Sequence, residues 1–190
     1  TRLDPGIQNT RLDPGICDPG ICDPGICSRQ HNRKTFDCGV DELNQFLRHQ
    51  ARQKTAKQMS KTYVACKAAE ATNIIGCHTL TGYAVITPPA HKNYKKYPHP
   101  LNAVKLARLT VAVSYQKQRL GEKLLIDAIY RTVLVAEQIS AIGLYVDPMT
   151  PEVIPFYQQY GFLTAEPDHD SHLEMWLPIK TCIQVVSSLL

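Results

Sequence analysis

The sequence predicts a mixed α/β domain, and three observations predict it. Residues 61–86 hold two runs of strand-like alternation with only a short polar break between them. Residues 108–138 pass from a strand period to a helix period through a polar turn. Short apolar and amphipathic segments then alternate as far as residue 177. The expected order is helix, two or three antiparallel strands, helix, strand, helix, strand.

With 190 residues and a net charge of +4, the chain suits one domain with a sizeable core and a tail. It contains no apolar run of the roughly eighteen residues that a spanning helix needs. No basic-then-apolar leader opens it, which points to the cytoplasm. Residues 1–28 are repetitive, with RLDPGI twice and DPGI at Asp4, Asp13, Asp18 and Asp23. Asp-Pro-Gly is turn chemistry, and one Ile per unit buries too little to offset chain ordering. A disordered tail is expected there, then a domain over 29–182 and a second tail over 183–190. The cysteines at 17, 22, 27, 38, 66, 77 and 182 are odd in number and form no C-x-x-C pair, so neither a disulfide framework nor a metal site is expected.

Within the domain, Leu43, Phe46, Leu47 and Ala51 form one face of a helix from Asp41 to about Lys57. Strands follow over 61–69 and 74–86, joined at Ala71-Thr72-Asn73 and ended by Pro88-Pro89. A basic, aromatic loop covers 90–100. Leu109, Val111 and Val113 alternate with Thr110 and Ala112 as a strand. The turn from Gln116 to Gly121 then opens a helix through Leu124, Leu125, Ala128, Ile129 and Val133. A strand feeding a helix through such a turn aims backbone N–H groups at one spot on the positive end of the helix dipole, where a phosphate binds. Ile142–Val146 reads as a buried strand, and a helix beginning near residues 152–154 closes at Tyr160 with Gly161 as its cap. A final strand pair spans 162–165 and 172–177. Asp168-His169-Asp170-Ser171-His172 reads as the turn between them rather than as a ligand set.

Several motifs resemble one family. Gln116-x-x-Arg119-x-Gly121 is similar to the Q/R-x-x-G-x-G/A signature of the GNAT acetyltransferases, and Phe156-Tyr157 to Gly161-Phe162 resembles their FYxxxGF segment. Phe36-Asp37-Cys38-Gly39, Leu43 to Leu47, the ARLTV strand and Leu177-Pro178-Ile179-Lys180 are similar to the toxin branch of that family, over residues 33–182. The resemblance implies a GNAT fold, with a mixed, mostly antiparallel sheet flanked by helices, and acetyl-CoA as cofactor. It implies that the edge at Leu109, Thr110, Val111 and Val113 pairs with pantetheine. The turn amides of Gln118, Arg119, Leu120, Gly121 and Glu122 would then hold the pyrophosphate, and Gln116 and Phe156 would also contact the cofactor. Arg119 stands where the family has glycine, so the turn is expected to keep ordinary dihedrals and the side chain to reach a CoA phosphate. Tyr157 would protonate the leaving thiolate.

The branch implies a toxin that acetylates aminoacyl-tRNA, a ribbon-helix-helix antitoxin and often a homodimer. No general base stands out. An α-amine, with a pKa of about 7.7–8.0, needs one less than a lysine at about 10.4. The charge is asymmetric: nine basic residues lie between Arg29 and Lys67, whereas residues 132–179 hold seven acids and no Lys or Arg. Lys54, Lys57, Lys92, Lys95 and Lys96 are candidates for tRNA phosphates. Two further readings stay open: acetylation of a protein or small-molecule amine, and a silent module that binds CoA or RNA.

Overall fold

A computed structural model describes residues 21, 22, 24–85, 100–164 and 173–188. Seven strands form one sheet in the order β1-β2-β3-β4-β5-β7-β6. They are β1 (Gly25–Ile26), β2 (Lys61–Lys67), β3 (Glu70–Val85), β4 (Leu101–Val111), β5 (Gly143–Val146), β6 (Leu163–Thr164) and β7 (Met175–Pro178). Every neighbouring pair is antiparallel except β4 and β5, which run parallel. That parallel pair is joined by the long helix α3 (Leu120–Ile139), the crossover that parallel strands require.

The two faces of the sheet are covered by different helices. On one, Leu125, Ala128, Ile129 and Val133 of α3 pack with Leu106, Leu144, Val146 and Leu177. Cys182 and Val186 of the terminal helix α5 (Ile179–Ser187) complete this core. On the other face, α1 (Asp41–Gln45) continues through a π-helical turn, Phe46–Gln50, into α2 (Ala51–Ala56). The widened turn keeps Phe46, Leu47 and Ala51 all buried, against Val64, Cys66 and Cys77. Burying a side chain such as Leu47 stabilises by about 1.5–3 kcal/mol.

Close packing sets α3 on the sheet. A Cβ on Gly76 of β3 would lie 2.8 Å from Leu124 Cδ1 and 3.3 Å from Leu120 Cδ2. The glycine therefore lets the first turns of α3 approach β3 and β4. Beneath the helix lies a polar network. His78 Nε2 and Asp127 Oδ2 are 2.6 Å apart, and Arg131 Nε donates to the same oxygen at 2.7 Å. The Arg131 guanidinium also covers the Tyr63 ring and donates to Pro24 O. Burial pushes the His78 imidazole below its ordinary range against the pull of Asp127.

Four boundaries differ from the sequence reading. The β2–β3 turn falls at Ala68-Ala69 rather than Ala71-Thr72-Asn73, because the two strands pair as far as Lys67 and Glu70. β4 begins at Leu101, well before the segment read as strand, and Val113 lies beyond its end in a 3-10 turn, Val113–Tyr115. The expected tail 183–190 is helical as far as Ser187, because Ile179, Cys182, Ile183 and Val186 share the inward face. The repeat is ordered at its end. Cys22 N–H donates to Cys66 O, Cys27 N–H donates to Thr62 O, and β1 pairs with the outer edge of β2. The rest of the repeat, the basic loop as far as residue 99 and the Asp168–His172 turn lie outside the described residues.

Candidate functional site

The site begins with a fault in the sheet. Thr79 of β3 pairs with Arg108 of β4, but the next residue, Leu80, pairs with Leu106. Ala107 is left as a bulge, and β4 bends there. On its other side β4 pairs with β5 only from Val104 to Leu106, opposite Leu144 to Val146. Past that point the two strands part. Ala112 N–H donates to Ile75 O, so alternation turns the amides of Leu109 and Val111 away from β3 and towards the gap. The amide of Thr110 faces β3, and its side chain is buried. Val113 N–H is already donated to Asp37 O. Of the four predicted edge residues, Leu109 and Val111 turn their N–H groups to the gap, while the Val111 carbonyl accepts from Gln116 Nε2.

The turn beyond β4 forms a concave wall. Lys117 and Arg119 both have positive φ, 59° and 62°, so the chain reverses twice before α3 starts. Such alternation draws successive N–H groups towards one point. The expectation of ordinary dihedrals at Arg119 is therefore wrong. The turn needs a left-handed residue where the resembled signature has glycine, and the arginine bears the strain. Its side chain, 81% exposed, donates through Nε to Glu122 Oε2 at 2.6 Å and through Nη2 to Oε1 at 3.2 Å. This pair holds the Glu122 carboxyl below its usual range and removes an uncompensated negative charge from the wall. Gln116 Nε2 donates to Cys38 O and Val111 O, and Gln118 Nε2 to Ser114 O, so both side chains brace the turn.

Together these elements enclose an open groove of about 520 Å³, lined by Val111, Tyr115, Lys117, Arg119, Gly121 and Phe156 among others. A Cβ on Gly121 would sit 3.8 Å from Val111 and 4.0 Å from Phe156, so the glycine keeps the groove open between strand and helix. Its floor is an unpaired strand edge, and its end is a set of amides at a helix N-terminus. Those parts suit an extended amide chain carrying a pyrophosphate.

The opposite wall is α4 (Ile154–Gln158), which follows a 3-10 turn at Pro151–Val153 and leads into a turn at Gly161, φ 88°. Phe156 lines the groove. Tyr157 lies behind it, 7% exposed, in the same core cluster as Leu106 and Val146, where β4 and β5 separate. Phe156 and Phe162 meet its ring edge-on at 5.2 and 5.4 Å, which fixes the phenol's direction. Burial pushes the Tyr157 phenol up to about 12, so it stays protonated through the physiological range.

The structure does not gather the lysine candidates. Lys54 Nζ lies over the Phe46 ring, Lys57 caps the end of α2, and Lys92, Lys95 and Lys96 fall outside the described residues. Two residues were missed. Lys117 lines the groove, and its place inside the Gln116–Gly121 motif was the available signal. Arg108 stacks on the Phe46 ring, 3.8 Å from its centroid, a contact that the sequence could not show. Among the described residues no cluster of three His, Cys, Asp or Glu could hold a metal, and no helix is long and apolar enough to cross a membrane.

No family model matches the chain. It is 27% identical over 135 residues to a tRNA-acetylating toxin of Mycobacterium tuberculosis, covering 70% of this chain and 80% of that one. Among solved structures it resembles AtaT complexed with acetyl-methionyl-tRNAfMet, with a TM-score of 0.78, 22% identity and coverage of 87% and 98%. It also resembles a tyrosine-to-phenylalanine mutant of AtaT bound to the C-terminus of the antitoxin AtaR and acetyl-CoA, with a TM-score of 0.73, 21% identity and the same coverage. This likeness establishes the fold: the chain has the GNAT fold of these toxins.

Proposed function

We propose that this GNAT-fold chain is an acetyl-CoA-dependent N-acetyltransferase, a cytoplasmic toxin that acetylates the α-amino group of aminoacyl-tRNA and so blocks translation. The observation that carries the reading is the pairing of the open β4 edge with a buried, protonated Tyr157 at the point where β4 and β5 part. The likeness to a tRNA-acetylating toxin, and to AtaT bound to acetylated tRNA, supports the substrate class. Leu109 and Val111 would bond the pantetheine amides as an added strand does. The amides from Gln118 to Glu122, with Lys117, would bind the pyrophosphate.

The amine adds to the thioester carbonyl, forming the C–N bond. As the C–S bond breaks, Tyr157 gives its proton to the departing sulfur and recovers one from the ammonium nitrogen. No carboxylate is required for this cycle, since an aminoacyl ester presents a largely neutral amine near pH 7.5. By analogy with the AtaR complex, a small antitoxin would be the partner that silences the enzyme.

Labelled acetyl-CoA tests the reading when it is incubated with the protein and a mixture of charged tRNAs. Label should appear on aminoacyl-tRNA and be released by mild alkali with the amino acid. Label on protein amines or small amines alone would replace the substrate assignment.

A further inference from the structure

A second groove, of about 630 Å³, lies on the loop that leads into α1 and on the π-helical turn. Its walls are Arg29, His31, Arg33, Lys34, Arg48 and His49, and its remaining two residues are amides. No carboxylate and no apolar side chain lines it. Three arginines elsewhere are compensated in other ways. Arg119 pairs with Glu122, Arg131 with Asp127, and Arg108 lies on an aromatic ring.

Arg33 and Arg48 have no such partner. Arg33 Nη1 donates to Ser28 O at 2.8 Å and Arg48 Nη2 to Phe36 O at 3.0 Å. Each bond fixes a guanidinium without neutralising it. The Nε of both is buried with no hydrogen-bond partner. Both guanidiniums have thus lost part of their hydration, and Arg48 feels only the exposed Asp37 carboxylate and Arg33 only the Cys27 thiol, so an anion in the groove would complete their compensation. Ser28 N–H donates to His31 Nδ1, which places the ring proton on Nε2 as a further donor. Burial and the neighbouring Arg33 keep this imidazole below its ordinary range, so it serves as a neutral donor.

We propose that this groove, built by Arg29, Arg33, Lys34 and Arg48, binds the phosphodiester backbone of an RNA strand. The apolar part of its lining is the stems of charged and polar side chains, with no aliphatic or aromatic residue to anchor a peptide's side chains. The segment also reaches the catalytic region: Asp37 O accepts Val113 N–H, and Cys38 O accepts Gln116 Nε2. RNA bound along residues 29–34 would therefore be tethered beside the cofactor turn. The assignment rests on the tRNA reading above, and it gives the main phosphate contact to residues other than the lysines singled out in the sequence.

The test measures binding of bulk deacylated tRNA between 50 and 300 mM salt, since backbone contacts are independent of sequence. Arg29→Glu/Lys34→Glu changes exposed side chains and leaves the pinned arginines in place. It should weaken tRNA binding about 10-fold or more and lower the slope of log affinity against log salt by about 1 per lost contact. Arg33→Gln/Arg48→Gln should do the same, with folding checked by circular dichroism. The KM for acetyl-CoA should not move. Unchanged tRNA binding in the folded Arg29→Glu/Lys34→Glu variant would overturn the groove assignment while leaving the tRNA reading intact. A raised acetyl-CoA KM with tRNA binding unchanged would give the groove to a cofactor phosphate, and lost binding of a polyglutamate peptide in its place would give it to a protein. A wild-type protein that binds acetyl-CoA but no tRNA would overturn both readings.

Discussion

The outer edge of β2 and the inner edge of β4 are both places where a strand's hydrogen-bonding edge could be left exposed, and the molecule treats them oppositely. The outer edge of β2 is closed by the chain itself: β1 pairs with Val64 and Tyr63, and Arg131 of α3 holds the segment through Pro24 O. The inner edge of β4 beyond Ala107 is left open, although β5 lies alongside as far as Val146. An exposed edge is ordinarily a liability and is covered. One left open beside a helix N-terminus is a place for an extended ligand. The contrast shows where the fold spends stability on keeping strands together and where it keeps them apart.

The sharpest way to break this contrast is to disable what the open edge serves. Tyr157→Phe keeps the packing against Phe156 and Phe162 and removes only the hydroxyl. It should lower kcat by about 10²–10⁴-fold and leave acetyl-CoA binding within about twofold. In the wild type, kcat/KM should rise through the α-amine's pKa, about 7.7–8.0 or lower in an ester, and then stay flat to pH 10. A phenol pushed up to about 12 does not ionise in that range. A fall above pH 9 would contradict the assignment.

Adjacent prolines on β4 separate the two sides of the strand. Thr110→Pro removes an N–H that faces β3 and should destabilise by about 3 kcal/mol or more. Val111→Pro removes one that faces the gap. It should cost clearly less stability but weaken acetyl-CoA binding about tenfold. Paired denaturant titrations and calorimetric binding measure both. Equal destabilisation would mean that the edge is not open.

Deleting residues 1–27 opens the closed edge. The β1–β2 pairing is lost together with three further hydrogen bonds, from Cys22 N–H, Cys27 N–H and the Arg131 guanidinium. At about 1 kcal/mol for each bond, denaturation should show a loss of at least about 3 kcal/mol and concentration-dependent association, with the kcat of folded molecules unchanged. Arg119→Gly is the smallest change. Removing the side chain from a left-handed position should raise Tm by about 2–4 °C and weaken acetyl-CoA binding only severalfold. If binding improves instead, the arginine opposes the cofactor.

Most of the fold was legible because its signals are local. Period-2 and period-3.6 patterns located β2, β3, the end of β4, α3 and β5, and the order of motifs around Gln116 and Tyr157 implied the GNAT arrangement. The misses have physical causes. Leu101 to Ala107 lacks clean alternation because Ala107 is a bulge, which puts Leu106 and Leu109 on the same face of the sheet. The helix over Ile179–Ser187 is only nine residues long, and its part beyond residue 182 read as a tail. Arg119's positive φ could not be read from its residue type, which argues the other way. The basic groove joins residues 29–34 to 48–49 through the fold, and composition alone showed only that this half of the chain is basic.

Amide hydrogen exchange followed by NMR tests the central claim most directly, residue by residue, with and without saturating acetyl-CoA. Exchange at Leu109 and Val111 should slow at least about tenfold on binding, as it does for a strand that gains a partner, while Ile26 and Val64 at the closed edge stay unchanged. Saturated protein in which Leu109 and Val111 exchange as fast as in the free form would contradict it, since the cofactor would then be held without the open edge.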